Sequence, residues 1–95
     1  MYTIAISDEA LFDMQEAYNY LENKESGAGE KLLRQTDEYL SIIELNPYLF
    51  KENYKKVRQV NVKPFRYLLR YKIYKKRIVI IQLFHGNLNP NKAKH

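Results

Sequence analysis

The sequence predicts a single α+β domain in the order strand, helix, helix, strand, strand, strand. Apolar residues recur every three or four positions in the first half of the chain, which is typical of helices, and every second position after Tyr54, which is typical of strands. With 95 residues, 45% of them apolar, the chain can bury one hydrophobic core but not two. We therefore expect residues 1–95 to form one domain, in which a helical hairpin packs on one face of a small, mostly antiparallel sheet.

A short strand and a helix open the chain. Residues 2–7 alternate in hydrophobicity, which predicts the first strand. Ser7 then supplies an N-cap and Asp8 begins an acidic first turn, so a helix is expected over residues 8–24. One apolar stripe runs along this helix and is expected to face the core. It comprises Ala10, Leu11, Met14, Ala17, Tyr18 and Leu21.

A second helix is expected after a tight reversal at residues 25–29, where two glycines permit the first helix to stop. It runs over about residues 30–45 and ends there because Pro47 disfavours helical geometry at the residue before it. Residues 46–53 are predicted to be a loop. The residues of the second helix that should face inward are Leu32, Leu33, Thr36, Tyr39, Leu40 and Ile43.

Three strands are predicted in the second half of the chain. A polar strand covers residues 54–60, and a strand over 65–73 has one apolar and one cationic face. The strand over 77–85 is apolar on both faces, as expected of a central strand. These strands should form an antiparallel meander, and residues 86–95 a mobile tail. The apolar face of the second strand comprises Phe65, Tyr67, Leu69, Tyr71 and Ile73, and its other face Arg66, Leu68, Arg70 and Lys72.

The charges of the chain are divided between its two halves. Residues 1–50 contain three basic and ten acidic residues, a net charge of −7, whereas residues 51–95 contain thirteen basic residues and one acidic residue, a net charge of +12. Most acidic residues therefore belong to the helical hairpin, and the strands carry the cations. Such a surface attracts a polyanion or an acidic peptide. We expect the cations to lie on the face of the sheet that the helices leave open.

Several classes of functional site are missing from the sequence. There is no cysteine, which excludes disulfides, thiolate zinc sites and cysteine nucleophiles, and there is no HExxH motif, nucleophile elbow or phosphate-binding loop. The acidic residues Asp13, Glu16 and Glu22 lie opposite the apolar stripe, where we expect a solvated helix face rather than a metal or acid–base cluster. Neither a cofactor nor a metal ion is therefore expected.

The sequence also predicts neither a membrane span nor a signal peptide. The longest aliphatic run covers only residues 78–81, and the N-terminus reaches Asp8 without a basic residue. We therefore expect a cytoplasmic protein that makes no membrane contact.

Basic and aromatic side chains are interleaved along the predicted strands, which suits single-stranded nucleic acid because cations hold phosphates and aromatic rings stack on bases. RNA can also be cut without a metal by a base, an acid and fixed cations, which His85 and nearby arginines and lysines could supply. Alternatives remain open: His85 can be structural, Tyr67 and Tyr71 can be core residues, and strand lysines can prevent aggregation. The residues concerned are Tyr54, Lys55, Lys56, Arg58, Arg66, Arg70, Tyr71, Lys72 and His85.

Six segments, taken in order, resemble the RelE/ParE superfamily of bacterial type II toxin-antitoxin modules. They are YTIAISDEALFDMQEAYNYLE, GAGEKLL, YLSIIELNPYLF, YKKVR, FRYLLRYKI and IVIIQLFHGNLNP, and together they cover nearly the whole chain. The resemblance implies an α+β toxin of a plasmid-stabilisation system. It also implies a cognate antitoxin, acidic or amphipathic, that forms a hetero-oligomer with the toxin.

The superfamily contains two functional classes. Members similar to RelE bind the ribosome and cut mRNA with side chains of the open sheet face, whereas ParE-like members inhibit DNA gyrase and are not enzymes. Because the cations are distributed along the strands, we predict a ribosome-dependent, metal-independent mRNA endonuclease that inhibits translation, with a ParE-like gyrase inhibitor that blocks replication as the alternative. The resemblance then implies that His85, Arg70 and Arg66 are catalytic and that RNA is bound by Tyr54, Lys55, Lys56 and Arg58. The cationic face of the predicted strand adds Lys72 to the RNA-binding residues.

One position departs from the pattern of the superfamily. Relatives often have an arginine before an Asn-Pro pair and a tryptophan soon after it, whereas this chain has Asn87 and Leu88 before Asn89 and Pro90. A cation that would lie close to His85 is therefore missing, which counts against nuclease activity.

Overall fold

The computed structural model describes residues 2–86, which form two helices and one five-stranded sheet. The sheet order is β1-β5-β4-β3-β2, with β1 parallel to β5 and the other neighbours antiparallel. The predicted α+β fold and the central position of the last strand are confirmed, while most of the predicted tail, residues 87–95, lies outside the described residues. In chain order the elements are β1 (Thr3–Ile6), α1 (Asp8–Lys24), α2 (Ala28–Leu45), β2 (Glu52–Tyr54), β3 (Val57–Val62), β4 (Tyr67–Tyr74) and β5 (Arg77–His85).

The sheet has one strand more than predicted, because β2 lies partly in the expected loop and the polar strand is displaced to β3. The reason is a two-residue turn at Lys55 and Lys56, whose φ angles of 49° and 64° are left-handed. This conformation is usual for Asn-Gly pairs and unfavourable for lysine, so no residue here signals a turn. The next strand, β4, begins at Tyr67 instead of residue 65.

Helix α1 begins at the predicted cap and also completes the sheet. The Ser7 hydroxyl accepts a hydrogen bond from the Ala10 N–H at 3.1 Å. Strand β1 pairs with β5 only as far as Ile80. Beyond Ile80, α1 covers the edge of β5 that β1 leaves unpaired. There the Ser7 hydroxyl donates to the Ile81 carbonyl at 3.3 Å, and the Asp13 carboxylate accepts the Leu83 N–H at 3.0 Å. The prediction that Asp13 is solvated is therefore wrong, since it is only 3% exposed.

The two helices are joined by a tight reversal. Gly27 has a left-handed φ of 90°, and Gly29 lets the helices approach, since a Cβ at Gly29 would lie 2.5 Å from the Tyr18 carbonyl oxygen. The Glu22 carboxylate accepts the backbone N–H groups of Gly27 and Glu30 at 3.0 and 3.1 Å. These contacts cap α2, which therefore begins two residues earlier than the sequence predicted.

The core lies between the helical hairpin and one face of the sheet. The apolar face of β4 packs there as predicted, and Tyr71 donates its hydroxyl to the Pro47 carbonyl at 2.7 Å. Two predicted inward residues, Leu11 and Leu33, are instead 51% and 37% exposed. They line a shallow groove on the outer side of the hairpin, because the apolar stripe of each helix is wider than the seam that packs against the sheet.

Candidate functional site

The register of the strands assigns their side chains to two faces. Leu69 and Leu83 are cross-strand partners on the face that packs against the helices, which we call the helix face. Arg70 and Gln82 are the next pair and lie on the opposite face, which we call the outer face. Lys72 follows Arg70 by two residues and shares this face. The predicted alternation of apolar and cationic residues along β4 is therefore confirmed.

Arg70 lies on the outer face but is buried, with 2% of its surface exposed. Its Nε donates a hydrogen bond to Gln59 Oε1 at 2.8 Å, and its Nη1 donates to Gln82 Oε1 at 3.4 Å. The guanidinium carbon also lies 4.8 Å from the centre of the Phe84 ring. Burial lowers the pKa of Arg70. Arg70 therefore lies on the predicted face but is buried rather than open to a phosphate, because glutamines on both neighbouring strands accept its N–H groups.

The polar chain continues from Arg70 to the start of α1. Gln82 Nε2 donates to Glu9 Oε2 at 3.1 Å, so a carboxylate from the acidic half of the sequence reaches the outer face. Beside this chain lies a cavity of about 530 Å³. It brings together four of the predicted site residues with four others, and its lining comprises Tyr54, Lys55, Arg70, Lys72, Glu9, Val57, Ile81 and Gln82.

Arg58 was predicted to bind RNA but lies on the helix face, paired with Tyr71 across the sheet. Its Nη1 donates to the Phe50 carbonyl at 2.7 Å, and its Nη2 lies 4.0 Å from a Glu52 carboxylate oxygen. The guanidinium also lies 5.0 Å from the centre of the Tyr48 ring. These contacts engage Arg58 with the segment that joins α2 to the sheet. Arg58 is therefore not part of the outer-face cavity. Together with Lys56 it lines a separate, smaller cavity of about 250 Å³.

His85 lies at the far end of β5 on the helix face. Its ring meets the Tyr67 ring edge-on, with 5.3 Å between their centres. Burial lowers the pKa of His85, and the nearby charges of Arg66 and Lys24 lower it further. The structure therefore brings two of the predicted catalytic residues, His85 and Arg66, close enough for their charges to interact.

The third predicted catalytic residue, Arg70, is not part of that cluster. The cross-strand partner of His85 is Tyr67, and both residues lie on the helix face. Arg70 follows Tyr67 by three residues and lies on the outer face. The predicted site residues thus divide into one group at the outer-face cavity and another at the His85 end. Chemistry that needs His85 and Arg70 at one phosphate cannot use this arrangement of side chains.

Four polar residues of these two groups were missed by sequence reasoning. Glu9, Gln59 and Gln82 complete the polar chain at Arg70, and the charge of Lys24, at the end of α1, lowers the pKa of His85. Only Gln82 had a signal in the sequence, as one polar residue within the apolar run of β5. A polar side chain in a central strand requires a hydrogen-bond partner, so a buried network could have been expected there.

The sequence matches one family over almost its whole length. Residues 4–90 match the family described as ParE toxin of type II toxin-antitoxin system, parDE. The protein belongs to the ParE toxin family. It is therefore a toxin of a type II toxin-antitoxin system, as the resemblance of its six segments implied. A search of curated proteins gave no match to this ParE-family toxin.

Solved structures share the fold of this ParE-family toxin at low sequence identity. A chain from the chromosomal ParDE TA system of P. aeruginosa is 14% identical, with a TM-score of 0.70 over 90% of this chain and 96% of that one. YafQ from E. coli strain BL21(DE3) is 17% identical, with a TM-score of 0.61 over 93% and 97%. A chain of the E. coli DinJ-YafQ toxin-antitoxin complex is 18% identical, with a TM-score of 0.60 over 92% and 94%.

Neither of the helices in residues 2–86 combines the length and the apolar character needed to cross a bilayer. Over the same residues, no group of three or more His, Asp or Glu side chains is arranged to hold a metal ion.

Proposed function

We propose that this ParE-family toxin binds DNA gyrase and blocks replication, and that it does not cut mRNA. The observation that supports this proposal is that His85 and Arg70 lie on opposite faces of the sheet. A metal-free nuclease needs its proton-transfer groups and its phosphate-stabilising cations around a single phosphate. A toxin that acts by binding another protein has no such requirement.

The state of the other cations supports the same proposal. Arg70 and Arg58 both donate hydrogen bonds within the fold, and both are largely withdrawn from solvent. Of the residues predicted to bind RNA, Tyr54, Lys55 and Lys72 line the outer-face cavity, whereas His85 ends β5 at the opposite end of the sheet. Arg58 and Arg70 therefore stabilise the fold, and Lys55 and Lys72 lie far from the His85 imidazole.

A cognate antitoxin is proposed as the partner that neutralises the toxin. The strands carry most of the positive charge, and an apolar groove runs along the hairpin between Leu11 and Leu33. An acidic or amphipathic segment is complementary to both features. Structures similar to this chain include one from a ParDE system and one from a DinJ-YafQ toxin-antitoxin complex. A cytoplasmic plasmid-stabilisation module is the setting that fits such a pair.

A supercoiling assay tests the gyrase proposal directly. Purified DNA gyrase, relaxed plasmid and ATP are mixed with the chain or with its His85→Gln variant. We expect the two proteins to inhibit supercoiling with potencies that differ by less than about tenfold, because binding to gyrase does not need proton transfer by His85. A mechanism that did need it would lose roughly 10² or more in the variant. Failure of the wild-type chain to inhibit supercoiling, combined with cleavage of mRNA on programmed ribosomes, would overturn the proposal.

A nuclease centred on His85 is the second candidate, because burial and the charges of Arg66 and Lys24 lower the pKa of its imidazole. A neutral imidazole can accept the proton of a 2′-OH, and Arg66 could then stabilise the phosphate. In that case His85→Ala lowers ribosome-dependent cleavage by about 10²-fold or more, whereas Arg70→Ala, on the opposite face, has a far smaller effect. An NMR titration checks the premise and should place the pKa of His85 below about 6.5.

A further inference from the structure

Two hairpin turns carry lysines in a backbone conformation that does not suit them. Lys55 and Lys56 join β2 to β3 with φ angles of 49° and 64°, and Lys75 joins β4 to β5 with a φ of 56°. In the left-handed region the Cβ of an L-residue crowds the backbone, and turns of this type usually contain Asn, Asp or Gly. Because Asn, Asp or Gly would adopt these φ angles more favourably, turn formation does not explain the lysines.

Topology places both turns at one end of the sheet. Strands β3 and β4 are antiparallel, so the turn before β3 and the turn after β4 lie side by side. Neighbouring strands are roughly 4.8 Å apart, so the centres of the two turns are separated by two spacings, roughly 10 Å, measured across the strands. Lys76 completes the second turn, and Lys72 and Arg77 flank it. We call this group, Lys55, Lys56, Lys72, Lys75, Lys76 and Arg77, the lysine end.

Protection of sheet edges does not explain these lysines. Charged residues guard edge strands against pairing with other chains, and β2 is such an edge. The turn at Lys75 and Lys76, however, joins β4 to β5, which are both internal strands of the sheet. Of the nearby carboxylates, Glu52 lies 4.0 Å from Arg58, and Glu9, which lines the outer-face cavity with Lys55 and Lys72, accepts a hydrogen bond from Gln82.

We propose that the lysine end binds the phosphate backbone of duplex DNA. This inference goes beyond the proposed function, because it assigns to the toxin a nucleic-acid contact of its own. The grooves of B-DNA are about 6 and 12 Å wide, so two cationic turns roughly 10 Å apart can meet phosphates on both sides of a groove. Lysine and arginine supply sequence-independent affinity through such contacts.

A duplex fits this surface better than a single strand does. Binding of a single strand depends on aromatic rings that are free to stack on bases. Two exposed tyrosines lie near the turns, Tyr54 and Tyr74. The Lys55 ammonium lies 5.4 Å from the centre of the Tyr54 ring and covers one face of it, which leaves Tyr74 as the tyrosine with both faces open. The turns themselves are short, and each is fixed by the strands it joins, which suits a rigid ligand.

Fluorescence anisotropy with a labelled 20-base-pair duplex, without gyrase, tests the proposal between 50 and 200 mM salt. The variant Lys55→Asn/Lys56→Gly removes two charges and installs residues that favour the same turn, so the fold is retained. We expect its plot of log affinity against log salt to be shallower by about 1.8 and its affinity at 0.1 M salt to fall at least about tenfold. Thermal unfolding verifies that both proteins are folded.

The matched control is Lys31→Asn/Arg34→Gln, which removes two charges from exposed positions on α2. We expect it to keep the wild-type salt slope. The proposal is overturned if the two double variants lose equal affinity, if the lysine-end variant keeps the wild-type slope, or if a 20-nucleotide single strand binds more tightly than the duplex. Because gyrase is absent, such a failure leaves the gyrase proposal intact, and normal DNA binding without inhibition of supercoiling removes the gyrase proposal alone.

Discussion

At the scale of single residues, Asp13 stabilises the fold from a position where a solvated carboxylate was expected. Its Oδ2 accepts the Leu83 N–H at 3.0 Å, beyond the point where β1 stops pairing with β5. We predict that Asp13→Ala lowers the free energy of unfolding by about 1–3 kcal/mol, because a buried N–H loses its acceptor. Urea unfolding at neutral pH measures this change.

Glu16→Ala is the matched control, since Glu16 is an exposed carboxylate on the same helix. Its effect should stay within about 0.5 kcal/mol. Equal effects of the two substitutions would show that the contact between Asp13 and Leu83 contributes nothing to stability.

For Arg70, the sequence predicts the face of the sheet but not the burial of the side chain. Its alternation with Leu69 and Tyr71 predicted the correct face of the sheet. It could not predict burial, which depends on Gln59 and Gln82, residues that lie 11 and 12 positions away in sequence and are adjacent only once the register is set. For the same reason the contacts of Arg58 within the fold were not predicted, since its partner Phe50 belongs to a segment without a periodic pattern.

At the scale of elements, Gly29 determines how closely the two helices pack. A Cβ at this position would lie 2.5 Å from the Tyr18 carbonyl oxygen and 2.9 Å from the Glu22 Cγ. We predict that Gly29→Ala destabilises the protein by about 1–3 kcal/mol, even though alanine gains about 1 kcal/mol in helix propensity. Lys31→Ala, at an exposed position of the same helix, should change stability by less than about 0.5 kcal/mol. Thermal unfolding compares the two, and a stabilised Gly29→Ala would contradict the close approach.

The cap of α2 makes the hairpin sensitive to acid. Hydrogen bonds from the N–H groups of Gly27 and Glu30 lower the pKa of Glu22. A carboxylate with a lowered pKa in the folded state stabilises the fold above its unfolded pKa of about 4.3, and the stabilisation disappears as the pH falls through the folded value. We predict that Glu22→Gln lowers stability at pH 7 and has a smaller effect at pH 3, as measured by urea unfolding at both values. An effect that does not change with pH would contradict the cap.

Prediction of the elements succeeded where periodicity and caps act locally. The alternation of residues 2–7, the Ser7 cap, the glycine reversal and the break at Pro47 each depend on nearby residues, so β1 and both helices were predicted closely. Strand β2 was missed because its three residues are polar and exposed and because the turn that defines it contains two lysines. Its position is set by pairing with β3, and no local sequence pattern predicts that pairing.

At the scale of the whole molecule, the division of charge in the sequence becomes a division in space. The acidic hairpin packs on the helix face, and the cations of the sheet gather at its two ends: the lysine end, and the end where the charge of Arg66 acts on His85. The cationic sheet was predicted from the sequence, but its cations were expected to form a single site. Their separation follows from the antiparallel register, which sends alternate turns to opposite ends.

The separation of His85 from Arg70 is the central feature of this account, and its consequence for function can be measured in cells. The chain is induced briefly, and incorporation of labelled thymidine and of labelled amino acid is followed in the same culture, with mRNA integrity examined in parallel. A binding toxin directed at gyrase stops replication before translation. We predict that thymidine incorporation falls first while mRNA stays intact; a prior fall in amino-acid incorporation with cleaved mRNA would contradict the account.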